Sequence, residues 1–253
     1  MKVLRIVGLS LAAMLAVAVF AGSASAEAPE YGRCLKTTGG KFKTNKCTVA
    51  SIPGEEKFEW VPGVVKNKFT TNLKEGSLIT FETVGGTKLT CTGGTGEGEI
   101  TGPKTTIGSY VFTGCEAVKI KCNSPGAPLG TLIGHKVEGL LGLEVEGSEP
   151  KLDKVANDLF PAEPGGFFVE FECSGLKVVA RGSVLNPASE NAMLSSVTLK
   201  WTSAGGKQKP EKFVNEPRDI CEVSTNGGPF EQCGGNVVLI LTLEEKIEIN
   251  TVV

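Results

Sequence analysis

Along most of this chain apolar and polar side chains alternate one by one, the two-residue period of strands with one buried face. The clearest stretch sets Phe167, Val169, Phe171 and Cys173 on one side against Phe168, Glu170 and Glu172 on the other. Ser174-Gly175 turns it, and residues 176–184 answer as a partner strand. Ile79, Phe81 and Thr83 alternate with Thr80 and Glu82; Gly85-Gly86 then turns the chain and residues 87–92 return, a second hairpin signal. Val197, Leu199 and Trp201 repeat the pattern against Thr198 and Lys200. Residues 237–243 and 247–252 read as a closing hairpin around Glu244-Glu245-Lys246.

Shorter strands are predicted at 58–65, interrupted by Pro62-Gly63, and at 99–101, 105–113 and 117–122. Residues 132–137 and 140–145 read as a further pair, and the glycine run 93–98 as a hairpin turn. The irregular stretch is 149–166, where Leu152, Val155, Ala156, Leu159 and Phe160 have near-helical spacing. That spacing predicts at most one short helix near 151–160. With 33 glycines punctuating many short Val-, Ile-, Thr- and Phe-containing segments, the fold class is all-β. The expectation is a disulfide-braced antiparallel sandwich or two small β units, 27–123 and 124–253. The seam between them falls at Ser124-Pro125-Gly126-Ala127-Pro128, and the two units are also consistent with packing as one domain.

The beginning of the chain changes the picture of where it works. Lys2 and Arg5 precede an apolar run from Ile6 to Phe20, and Ala24-Ser25-Ala26 is a small-residue cleavage site. Residues 1–26 therefore read as a removable secretory signal, too short for a membrane anchor. The expected localisation is secreted or extracellular, with no membrane span after signal removal. Without the signal the chain carries 24 basic and 28 acidic residues, net −4. Its densest basic run, Lys207-Gln208-Lys209-Pro210-Glu211-Lys212, is broken by a proline and a glutamate. Nothing here is the electrostatic footprint of a nucleic-acid partner.

Eight cysteines in an oxidising compartment are expected to form disulfides. Cys34 with Cys47 and Cys221 with Cys233 each flank one turn-rich loop. For the other four, Cys115–Cys122 with Cys91–Cys173 is preferred, and Cys91–Cys115 with Cys122–Cys173 is the rival. A zinc site would want Cys-x₂₋₄-Cys pairs, which the sequence lacks.

Other chemical candidates are weak. His135 is the one histidine and has no Gly-x-Ser-x-Gly elbow to serve, so a surface position is the simpler reading. Glu170 and Glu172 share a strand face, the ordinary behaviour of solvated acids. Asp153, Asn157, Asp158 and Glu163 fall together in the irregular stretch without the spacing of a calcium loop. Trp60, Trp201, Tyr31 and Tyr110 are dispersed, which suits core packing. The sequence thus points to no catalytic residue, metal or cofactor.

Several segments taken together resemble a family of exported, β-rich actinobacterial proteins of unassigned function. They are Glu30-Tyr31-Gly32-Arg33-Cys34, Glu59-Trp60-Val61-Pro62-Gly63, Gly98-Glu99-Ile100-Thr101-Gly102-Pro103-Lys104, Phe112-Thr113-Gly114-Cys115-Glu116 and Phe168-Val169-Glu170-Phe171-Glu172-Cys173. The run from Gly206 to Phe213 and the ending from Glu244 to Val253 complete the set. The resemblance implies export and a β-rich fold and transfers no catalytic residue. Cys221 and Cys233 stand outside the family's usual pattern, which implies that they bond to each other. The function expected is a non-enzymatic structural or binding role at the envelope or outside the cell, with a cell-wall, polysaccharide or protein partner. The alternatives are a secreted hydrolase using carboxylates, or a protease inhibitor presenting the loop 222–232.

Overall fold

The computed structural model describes residues 29–55, 57–148, 153–188 and 192–251; the expected export signal lies outside the described residues. The architecture is all-β and antiparallel, with nineteen strands and no helix among the described residues. In chain order they are β1 (Glu30–Lys36), β2 (Phe58–Pro62), β3 (Lys68–Leu73), β4 (Ile79–Thr83), β5 (Lys88–Cys91), β6 (Gly93–Ile100) and β7 (Thr105–Thr113). Then come β8 (Glu116–Ala117), β9 (Ile120–Asn123), β10 (Leu132–Ile133), β11 (Val137–Val145), β12 (Lys154–Pro161), β13 (Val169–Cys173) and β14 (Leu176–Gly182). The last are β15 (Val184–Pro187), β16 (Leu194–Ala204), β17 (Lys207–Lys209), β18 (Cys221–Thr225) and β19 (Glu231–Asn250).

Eight of these strands close on themselves. Going round, β4 pairs with β5, β5 with β8, β8 with β9 and β9 with β13. From there β13 pairs with β14, β14 with β18, β18 with β19, and β19 returns to β4. Closure removes the unpaired edges that an open sheet would expose. Residues opposite one another in a ladder share a face, so the register defines the interior. Phe81, Gly235 and Cys233 point inward with Leu89, Phe171, Val178, Ala180 and Val223. The partners Thr80, Glu82, Glu170 and Glu172 point outward.

A second curled sheet continues below the first. Its order is β16–β19–β3–β6–β7–β11–β12–β15, and its outer strands β15 and β16 lie against each other. β10 extends one end of β7, β1 and β2 add to the far end of β19, and β17 folds back on β16. The twenty residues of β19 run through both walls, about 60 Å at the usual strand rise. One cluster of buried side chains, including Ile79, Leu132, Trp201 and Leu239, spans the junction; a second, with Phe69, Leu141, Val155 and Leu243, fills the lower sheet.

The hairpins expected at 79–92 and 167–184 are present as β4–β5 and β13–β14. Other expectations need correction. The glycine run 93–98 is strand β6, not a turn. Gly94, Gly96 and Gly98 face Phe112, Tyr110 and Gly108 across the β6–β7 ladder. A methyl group at Gly96 would lie 2.6 Å from Tyr110 Cδ1 and from Thr71 Oγ1, so the missing side chains make room for interior rings. The short helix expected near 151–160 is absent among the described residues: Lys154–Pro161 is strand β12. Residues 237–250 form no hairpin but continue β19, and the pair expected at 132–145 is replaced by β10 and β11, which both lie on β7. The expected seam falls in the turn between β9 and β10, and strands on both sides of it hydrogen-bond to each other, as β9 to β13 and β4 to β19.

Candidate functional site

The inward side chains of the closed barrel do not fill it. A cavity of about 260 Å³ runs from its hairpin end to the junction with the lower sheet. Thr87, Leu176 and Thr225 line it at the hairpin end, where all three are exposed. Phe81, Phe171, Val178, Ala180 and Val223 form the middle, and Leu132, Leu159, Trp201 and Leu239 the inner end. His135, also exposed, touches it from the flank, where Gly134 bridges to Val169.

The space arises from small residues at inward positions. Ala180 and Gly235 carry almost no side chain, and three of the lining groups, Cys173, Cys221 and Cys233, are half-cystines. Cys91–Cys115, Cys122–Cys173 and Cys221–Cys233 cross-link the wall, while Cys34–Cys47 braces the loop beside β1 and β2. The Phe81 ring lies over Gly235, where a methyl group would sit 3.3 Å from two ring carbons, and meets Phe112 edge to face at 5.7 Å. Tyr110 stacks on Phe112 at 6.5 Å, and burial pushes its phenol up to about 12, so it stays a neutral donor. The indole Nε1–H of Trp201 is buried without a partner.

Hydroxyls and carboxylates gather at the hairpin end. The Thr83 hydroxyl accepts the Thr87 N–H at 3.3 Å, leaving its own proton to donate. Glu231 stands opposite Val223 and so faces inward; its carboxylate accepts the Gly85 N–H at 3.1 Å. Lys88 is paired with Glu82 at 3.5 Å, both at positions that alternate with inward residues. The cavity therefore combines apolar walls with a few hydroxyls at one end.

The structure disperses most of the residues that sequence reasoning singled out. For the central cysteines the rival pairing holds, not the preferred Cys115–Cys122 with Cys91–Cys173. The reason is register: Cys122 and Cys173 stand directly opposite across β9–β13, two strands distant in sequence and adjacent in space. His135 Nε2 lies 3.6 Å from a Glu170 carboxylate oxygen on the exposed surface, and Glu172 faces outward beside it. Asn157 and Asp158 are neighbours on an extended strand, so they point to opposite faces, while Asp153 accepts the Gly147 N–H at 2.9 Å. That group does not converge. Among the described residues no three His, Cys, Asp or Glu side chains gather as a metal site. Residues 222–232, the loop expected of an inhibitor, form the β18–β19 hairpin of the barrel wall, with Ser224 buried and residues 225–229 exposed at its tip. Trp60 packs beside Cys34–Cys47 and donates to Glu30 at 2.6 Å, whereas Trp201 and Tyr110 line the cavity.

The fold and this cavity place the molecule among closed antiparallel β-barrels with an apolar interior. No protein-family model, curated protein or solved structure matches the chain. Four disulfides fit a stabilised β-protein of an oxidising compartment. Among the described residues no helix is long and apolar enough to cross a membrane.

Proposed function

We propose that this is an exported binding protein whose closed barrel holds a small apolar molecule and performs no chemistry on it. The observation that carries the reading is the apolar interior cavity of about 260 Å³ inside a disulfide-braced wall. The apolar lining lacks partner atoms on one side until a ligand supplies them. At roughly 24 cal/mol per Å³, leaving such a volume empty costs on the order of 6 kcal/mol relative to a filled interior. Three disulfides crossing the same wall offset that cost and keep the space open. Export is supported by the signal-like residues 1–26 and by the cysteine usage. The resemblance to exported actinobacterial β-proteins supports export alone.

The test is uptake of an uncharged, environment-sensitive fluorescent dye by the purified, disulfide-bonded protein. Saturable uptake that Ala180→Phe abolishes supports the reading. A protein that takes up no apolar compound, or whose uptake survives both Ala180→Phe and Val223→Phe, overturns it. Recovery of native protein from the culture medium, starting near residue 27, tests the export half separately.

A further inference from the structure

Resting on the binding role just proposed, the geometry points to a ligand class: we infer that the cavity takes one unbranched alkyl chain with an uncharged polar head, the head lying at the hairpin end. The first argument is shape. Lining residues on β19 run from Cys233 to Leu239, about 20 Å along the strand and roughly 15 Å along a barrel axis after tilt. Spread over that length, 260 Å³ leaves a cross-section of roughly 17 Å². Carbon atoms touch at about 4 Å, so that is the girth of one extended chain and too little for fused rings. At interior packing density a methylene takes roughly 27 Å³, so the volume holds a chain of about nine or ten carbons.

The second argument is the polarity of the hairpin end. Thr83, Thr87 and Thr225 bring hydroxyls there, and the lysine that reaches the lining, Lys88, is already paired with Glu82 at 3.5 Å. Glu231, whose carboxylate is held by the Gly85 N–H at the same end, stands beside the lining and opposes a carboxylate by like charge. Hydroxyls that both donate and accept suit an alcohol, ester or amide head. The inner end, walled by Leu132, Leu159 and Leu239, receives the methyl terminus.

Isothermal titration of the intact protein with n-alkanols from hexanol to hexadecanol, matched fatty acids and a fused-ring alcohol tests this. Affinity is expected to rise about fourfold per added methylene and to level off near ten carbons. Each fatty acid at neutral pH is expected to bind at least tenfold more weakly than its alkanol, and Glu231→Gln to narrow that gap while leaving alkanol affinity within twofold. Trp201 emission is expected to respond to each alkanol that binds, because Trp201 lines the inner end. Tighter binding of the fused-ring alcohol, a series with no break, or a gap that Glu231→Gln leaves unchanged overturns the inference and leaves the binding role standing. Absence of binding by every compound overturns both.

Discussion

Replacing Asp158 by asparagine tests how burial of a carboxyl couples this fold to pH. Asp158 lies on the outer face of β12 and is 7 % exposed. Residues 205–220 pass over this side of the sheet: Val214 N–H donates to Leu143 O at 2.7 Å, and the Gln208 side chain to Asp219 O at 3.3 Å. Burial pushes the Asp158 carboxyl from its ordinary 3.8 up to about 7; the Ser183 hydroxyl offsets part of this, and the Asp219 carboxylate adds to it. One carboxyl oxygen has no partner, which is why ionisation is opposed. In the unfolded chain the group ionises near 3.8 and in the fold only near 7, so between those values the folded protein holds the extra proton. Stability therefore falls as pH rises through that window, and the full cost is present above it. At 1.36 kcal/mol per pH unit, the cost is on the order of 4 kcal/mol. Glu248, buried under the loop closed by Cys34–Cys47 and raised from 4.5 to about 7, adds a fall of similar size and the same sign. Urea unfolding without reductant at about pH 4.5 and about pH 7.5 reads the effect directly. Asp158→Asn is expected to be the more stable protein at the higher pH and to show roughly half the wild-type fall between the two. Equal destabilisation at both pH values would refute the reasoning, because the anion would then be satisfied in the fold.

Removing the Cys122–Cys173 bridge by a double alanine substitution frees a 51-residue separation and is expected to cost about 4 kcal/mol in unfolding experiments; a loss no larger than for Cys221–Cys233, with a separation of 12, would contradict the loop argument. Gly96→Val forces a side chain against Tyr110 and Thr71, so a loss of about 1–3 kcal/mol is expected by thermal melting, whereas Gly227→Ala, a turn position with no atoms near its Cβ, is felt only through its positive φ. Glu245 accepts the Val65 and Lys66 N–H groups at 2.6 and 3.0 Å and pairs with Arg33 at 3.2 Å. Glu245→Gln is therefore expected to cost about 1–3 kcal/mol and to raise hydrogen exchange at residues 65–66.

Strands with one solvated face were legible in the sequence because alternation survives there: Phe171 against Glu170 and Glu172 reads correctly at sight. Strand β12 was not, because both of its faces are covered. Val155 and Leu159 face the interior while Ala156 and Asp158 are buried on the outer side, so the apolar positions bunch into helix-like spacing. Strand β6 was hidden for the opposite reason: its inward residues are glycines, and the rings that use their space stand on β7. Bridges between Cys91 and Cys115 and between Cys122 and Cys173 depend on which strands become neighbours, which proximity along the chain does not reveal. The cavity itself left a faint trace in Ala180, Gly235 and the half-cystines, small residues at inward positions. A missing volume has no hydropathy of its own.

The long strand β19 borders β18 and β4 in one wall and β16, β3 and β1 in the other. A chain threaded N-terminus first, from a ribosome or through a translocation pore, has neither wall complete until residues 231–250 emerge. Sequestration of the apolar interior is thereby deferred until β19 has been made. A truncation that ends in the turn before β19 is expected to leave both compartments unsealed at once.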